Sequence, residues 1–264
     1  MPQYLPPLDD RPIYRWGALI IVTVVAILWE LAVRTHVVSG MFLPAPSQIL
    51  RELVLGLWGG TLLDSLRATT LRVASGLLIG GLAGAVCGLL MGASRRLSRL
   101  LNPLVAGVHP IPKLSLLPLF MVFFGLGETP KVIVVSSAAF FPMLLSTMAG
   151  VRHIASVHFD AARTYGASRR QLIRHVVIPG SVPMMLSGLR LAANIAFLSA
   201  IAVEMVAAKN GLGAEVWLAW QVLRLEELFA TLVVIAAVGV TVNVMLRGLS
   251  RRVAPWLTAR EVTI

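Results

Sequence analysis

Four stretches of this chain each run for about twenty residues with one charge or none. They cover residues 16–33, whose only charge is Glu30, and residues 73–94, 132–151 and 228–246, which carry none. A hydrocarbon core roughly 30 Å thick is crossed by about 20 apolar residues in a helix. Inside it every backbone amide must find its partner within the segment, which leaves the α-helix as the structure for such runs. Two further stretches are apolar but interrupted. Residues 102–126 contain His109-Pro110-Ile111-Pro112-Lys113, and residues 183–207 contain Arg190 and Glu204. Six spans are therefore expected. Only 13% of the residues are charged and 57% are hydrophobic, where a soluble domain carries about 25% charged. The fold class expected is an all-α integral membrane protein.

The net charge of +11 would suit nucleic acid, but the arginines sit between the apolar runs, as charges do that face anionic lipid and the cytoplasm. Numbered alternately, one set of connections holds fourteen arginines, from Arg11 to Arg260, and the other holds six Lys and Arg. The positive-inside rule then puts both termini in the cytoplasm. The division expected is a cytoplasmic segment 1–15, a six-helix domain 16–250 and a cytoplasmic tail 251–264. The first run lacks a small-x-small cleavage site and reads as a retained helix. Trp16, Trp29, Trp58, Trp217, Trp220 and Trp256 mostly fall near span ends, as aromatic belts do.

In the second span Gly76, Gly80, Gly84, Gly88 and Gly92 recur every four residues. On a helix they form one stripe without side chains, where a second backbone can approach closely. Packing within the bundle and a subunit or sliding interface are both open readings of that stripe.

The connection between the fourth and fifth spans, residues 152–182, is far longer than two neighbouring membrane helices need, and long connections usually have a task. Two short helices fit it. Asp160 is placed in the opening turn of the first, beside Ala161 and Ala162. Gly166 allows the turn. Ser168, after Ala167, caps a second helix over 169–177, which Pro179 follows.

This stretch resembles the EAA loop of ATP-binding-cassette importer permeases, whose pattern is Glu-Ala-Ala, three residues, Gly, nine residues, Ile, one residue, Leu-Pro. The chain has Asp160-Ala161-Ala162, Gly166, Val176 and Ile178-Pro179 at that spacing, with Asp for Glu, Val for Ile and Ile for Leu. Leu43-Pro-Ala-Pro-Ser47, Pro110-Ile-Pro-Lys-Leu-Ser-Leu-Leu-Pro118, Phe124-Gly-Leu-Gly-Glu128, and Glu204 followed by Gly211-Leu-Gly213 are similar to the permeases for nitrate, sulfonates and taurine.

The resemblance implies a permease subunit in the bacterial inner membrane, with a cytoplasmic coupling-helix loop between helices 4 and 5. It implies two copies of a separate ATPase that hold ATP and Mg, a second permease copy and an extracytoplasmic binding protein that delivers the cargo. No Gly-x-x-x-x-Gly-Lys-Ser/Thr loop occurs in the chain, so no nucleotide site of that kind is expected here, and no enzyme activity. Cofactors and nucleic acid are not expected.

Candidate pathway residues are those that break the apolar rule: Pro110, Pro112, Lys113, Asn194, Ser199 and Glu204. Snorkelling is the competing reading for Lys113, an interfacial position for Glu204, and a hydrogen bond within the bundle for Asn194 and Ser199. A single cysteine, Cys87, excludes a thiolate cluster, and the histidine spacing does not suit a metal. The alternatives are an ion-coupled secondary transporter, which would show inverted repeats and midplane carboxylates, and an intramembrane enzyme, which would show a clustered constellation of acid, base or metal ligands.

Overall fold

The computed structural model describes residues 12–254, and all regular structure among them is helical. Residues 1–11 and 255–264, with Arg11, Trp256 and Arg260, lie outside the described residues, as do the side chains of Arg15 and Trp16. They hold most of the expected terminal segments.

Helix α1 is Pro12–Arg34, and the short helix α2 is Pro46–Trp58. Then α3 runs over Thr61–Ala93, 33 residues and about 50 Å at 1.5 Å per residue. It starts a dozen residues before the apolar run does, because Ser65, Thr69 and Arg72 are buried on the same face as the glycines. Next come α4, Arg95–Val108, a 3-10 turn at Lys113–Leu116 and α5, Leu117–Phe124. Helix α6 is Thr129–Arg152 and α7 is Ser156–Thr164. Helix α8, Arg169–Leu172, passes through a π-helical turn, Ile173–Val177, into α9, Ile178–Ala207. Finally α10 is Leu212–Gln221 and α11 is Leu225–Val253.

Four helical runs among the described residues are long and apolar enough to cross a membrane: Thr61–Ala93, Thr129–Arg152, Arg169–Ala207 and Leu225–Val253. The interrupted third stretch is not one rod. The α4 helix and the segment Lys113–Phe124 meet at 86°. Pro110 and Pro112 stand in the break, where a missing N–H and a fixed φ disfavour helix continuation. The expected fifth span is also longer. It begins inside the connection, at Arg169.

The core is α3 and α9 laid against α6. A Cβ at Gly88 would lie 2.7 Å from the Thr147 Cβ, and one at Gly92 would lie 2.6 Å from the Val151 Cβ. At Gly80 and Gly84 it would strike the carbonyls of Ser136 and Phe140. All five glycines of the stripe thus face α6. Around them Val73, Ala85, Val135, Ala139, Met143, Ala192, Ala196, Phe197 and Ala200 form one apolar cluster. At one end of the bundle Arg152 donates to the Ser98 hydroxyl, tying α4 to α6.

Candidate functional site

Two sites stand at opposite ends of the long run Arg169–Ala207. The first is the exposed α7–α8 unit. Helix α7 ends at Gly166, whose φ is +75°. The Ala167 N–H donates to the Ala162 carbonyl at 3.0 Å and the Gly166 N–H to the Arg163 carbonyl at 2.9 Å. These are the paired bonds of a Schellman end, in which glycine fills the left-handed position. Two residues later a capping box starts α8. The Gln171 N–H donates to the Ser168 hydroxyl at 3.4 Å, and the Ser168 N–H donates to the Gln171 side chain at 2.8 Å.

Asp160 is the fifth residue of α7, not in its opening turn, because the helix begins at Ser156. Its carboxylate is exposed, 3.8 Å from the Arg163 guanidinium. Nor does Pro179 end the second helix. The Ile178 N–H donates to the Ile173 carbonyl, one residue further back than an α-helix allows. The extra residue of this π turn makes room for the proline, so the helix continues. Ala161 and Ser168 are exposed, Ala162, Ala167 and Val176 half-buried, and Ile178 and Pro179 exposed. Tyr165 is 90% exposed and forms the tip.

The second site is a buried ionic hub centred on Arg72, near the far end of the same run. All five guanidinium N–H groups are used. Nε and Nη2 donate to the two oxygens of Glu128 at 2.5 and 2.9 Å. Nη1 donates to Glu204 Oε1 at 2.7 Å and to the Asn210 carbonyl at 2.8 Å, and Nη2 also reaches the Asn210 side chain at 2.5 Å. The other Glu204 oxygen accepts from Thr69 Oγ1 at 2.9 Å and from the Gly213 N–H at 3.0 Å. Thr69 in turn accepts from the Leu212 N–H. The carboxylate therefore occupies the N-terminus of α10, where free N–H groups and the helix dipole favour an anion. Lys131 Nζ donates to Glu128 at 2.9 Å.

Gly211 has φ +116°, and a Cβ there would lie 2.5 Å from the Glu204 carboxyl carbon and 2.6 Å from Arg72 Nη1. Arg72 and Lys131 hold the Glu128 carboxyl at a pKa of about 2, well below its ordinary 4.5, although partial burial opposes them. Thr69, Arg72, Lys131 and Glu204 are all buried, while the Glu128 side chain is 58% exposed.

The candidate pathway residues are not brought together. Glu204 is in the hub and fully buried. Asn194 on α9 accepts from Asn243 Nδ2 of α11 at 3.2 Å, a bond within the bundle. Ser199 is half-buried on α9. Pro110 and Pro112 are exposed at the bend. Lys113 is half-buried at the bend. Its Nζ donates to the carbonyls of Val108, His109 and Ile111 at 2.8–3.0 Å, caps the end of α4 and sits 4.5 Å over the Phe141 ring. Among the described residues no group of His, Cys, Asp and Glu could hold a metal.

Arg72, the centre of the hub, is the residue that sequence reasoning misses. Its signal was an arginine one residue outside a charge-free run, with Ser65 and Thr69 on the same helical face.

The carboxylates that meet Arg72 come from two of the segments, Phe124–Glu128 and Glu204–Gly213, that resemble nitrate and sulfonate permeases. Residues 76–259 match the family described as the binding-protein-dependent transport system inner membrane component. The chain belongs to this family. The permease is 34% identical over 252 residues to the taurine transport system permease protein TauC of Escherichia coli K12, covering 93% of this chain and 92% of that one. It is 31% identical to a putative aliphatic sulfonates transport permease protein of Bacillus subtilis 168, over 95% and 91% of the two chains. It is 32% identical to a putative ABC transporter permease protein of Methanocaldococcus jannaschii, over 87% and 88%. It is thus a permease subunit of an ABC importer, the membrane-spanning transport component of a binding-protein-dependent system and not a catalytic one.

Proposed function

We propose that this permease crosses the membrane six times, through α1, α3, the bent α4–α5 pair, α6, the run Arg169–Ala207 and α11, with both termini in the cytoplasm. On this reading the described ends of the chain extend the terminal segments 1–15 and 251–264. The α7–α8 unit then faces the cytoplasm and the Arg72 hub faces outward. Asp160, Ala161, Ala162, Gly166 and Ser168 form a firm, small-surfaced plug for a groove on the ATPase. Val176 belongs to the π turn that joins the plug to the long helix, and Ile178 and Pro179 open that helix. Two ATPase copies carry ATP and Mg, and a second copy of this chain completes the pathway. The binding protein docks at the hub end and delivers a small sulfonate-, nitrate- or taurine-like solute, for which the relatives' names are the support.

The observation that carries this reading is continuity. The exposed capped plug and the buried hub are the two ends of one unbroken helical run of 39 residues. A helix transmits axial displacement because shortening it means breaking its hydrogen bonds. The test is affinity purification from native membranes in mild detergent. An ATPase at about equal stoichiometry, lost when residues 160–179 are altered, supports the reading. A permease that purifies intact and alone rejects the docking role of the loop.

A further inference from the structure

A cavity of about 580 Å³ lies in the groove between α3 and α6. Ile79 and Ala83 of α3 face Val132, Ile133 and Phe140 of α6 across it, with the Ser136 and Ser137 side chains in the wall. It extends from Glu128 to Phe140, twelve residues of helix and about 18 Å. Its walls are apolar, and Glu128 is its charged end.

Behind Glu128 the charges do not balance. The side chains of Arg72, Lys131 and Glu204 are 4%, 6% and 0% exposed, two cations against one carboxylate. The next carboxylate, Glu215, is held by Ser65 two turns away along α3. A buried excess of positive charge is costly unless an anion joins it. Glu128 is that anion, and it is the one ionic member of the hub open to solvent. It follows a turn containing Gly125, φ +78°, and Gly127.

We propose that the groove takes the cargo as a small organic anion with a short aliphatic chain, the chain lying on the apolar walls and the anionic head replacing Glu128 on Arg72 and Lys131. This rests on the importer reading and adds a cargo contact within the permease itself. Glu128 is then a resident competitor. It satisfies the cations while the groove is empty, and it weakens cargo binding enough for release, as a transport pathway requires.

The test uses the permease with its ATPase in lipid nanodiscs, with Cys87→Ser and a reporter Ser136→Cys in the wall. Labelling by a hydrophilic methanethiosulfonate is timed with pentanesulfonate or with 1-pentanol. Pentanesulfonate should slow labelling severalfold and pentanol should not. Adding Glu128→Gln should lower the protecting concentration about tenfold or more, since it removes an internal charge competitor. Adding Lys131→Met should abolish protection. Equal protection by pentanol would assign the groove to an apolar occupant such as a lipid chain and overturn the proposal. So would no protection, or no gain with Glu128→Gln. If Ser136→Cys does not assemble, Ser137→Cys reports on the same wall. ATP hydrolysis coupled to the binding protein, read in the same preparation, separates the two readings. Normal coupling without protection rejects the groove alone, and absent coupling rejects the importer assembly.

Discussion

Arg72 Nη1 lies 2.7 Å from Glu204 Oε1, and the two side chains are 4% and 0% exposed. They come from helices 132 residues apart in sequence. Removing one partner of such a pair strands the other charge in a dry interior, a cost of about 3–5 kcal/mol, whereas replacing both with apolar groups of similar size is often close to neutral. Glu204→Met should therefore lower the thermal midpoint in detergent strongly, and Arg72→Met likewise. The double variant should recover part of the loss. A thermal-shift series on the three variants checks this, and additive losses would mean that the pair is not coupled.

Glu128 gives the hub a pH dependence. Its carboxyl is held at about 2 in the folded protein against an ordinary 4.5. A depressed folded value means that the contribution is fully present above about 4.5 and is lost as pH falls from there through about 2. The thermal midpoints of wild type and Glu128→Gln should differ by a constant amount between pH 5 and 7, then converge below pH 4.5. Because the Glu128 side chain is 58% exposed, solvent screens the effect and the difference should be modest. A gap that widens on acidification would contradict the hub geometry.

Gly84 offers no room for a side chain. A Cβ there would lie 3.1 Å from both the Leu144 N and the Met143 Cβ, and would strike the Phe140 carbonyl. Gly84→Ile should push α3 off α6 and cost upwards of about 1–3 kcal/mol, the usual range for overpacking. Gly107, whose Cβ would meet nothing within 4 Å, is the internal control. Size-exclusion profiles after graded heating should separate the two variants.

At Gly166 the constraint is conformational and not spatial, since a Cβ would meet nothing within 4 Å but φ is +75°. Leucine at such a position costs about 1–2 kcal/mol, while asparagine visits it readily. Gly166→Leu should leave the permease inserted but uncouple ATP hydrolysis from transport, and Gly166→Asn should keep most of the coupling. Equal coupling in both variants would remove the turn from the mechanism.

Four of the six expected spans were legible because apolar length is a one-dimensional property. The loop was legible because its turn and cap chemistry is local: Gly166, Ser168 and Gln171 lie within six residues. The hub was not. Arg72, Glu128 and Glu204 are individually ordinary, and their meeting depends on how α3, α6 and α9 pack. The glycine stripe hinted at that packing without naming the partner. Pro179 misled for a related reason. Its usual effect is to end a helix, and only the neighbouring π turn at Ile173–Val177 relieves it. The bend at Pro110 and Pro112 was marked by its prolines, but its 86° angle and the seating of Lys113 over Phe141 belong to the tertiary packing.

The uninterrupted run from Ser168 to Glu204 makes its own length a fixed quantity. Each residue turns a helix by about 100°. Deleting one residue anywhere between the plug and the hub would rotate the α8 surface by a quarter-turn or more relative to Arg72, although no contact at either end had been edited. The same deletion in the turn between α7 and α8 would be absorbed locally. Insertions and deletions in this segment should therefore be tolerated, if at all, only in steps near whole turns, and the π turn, one residue out of step with the α-helix around it, sets the phase between the two ends.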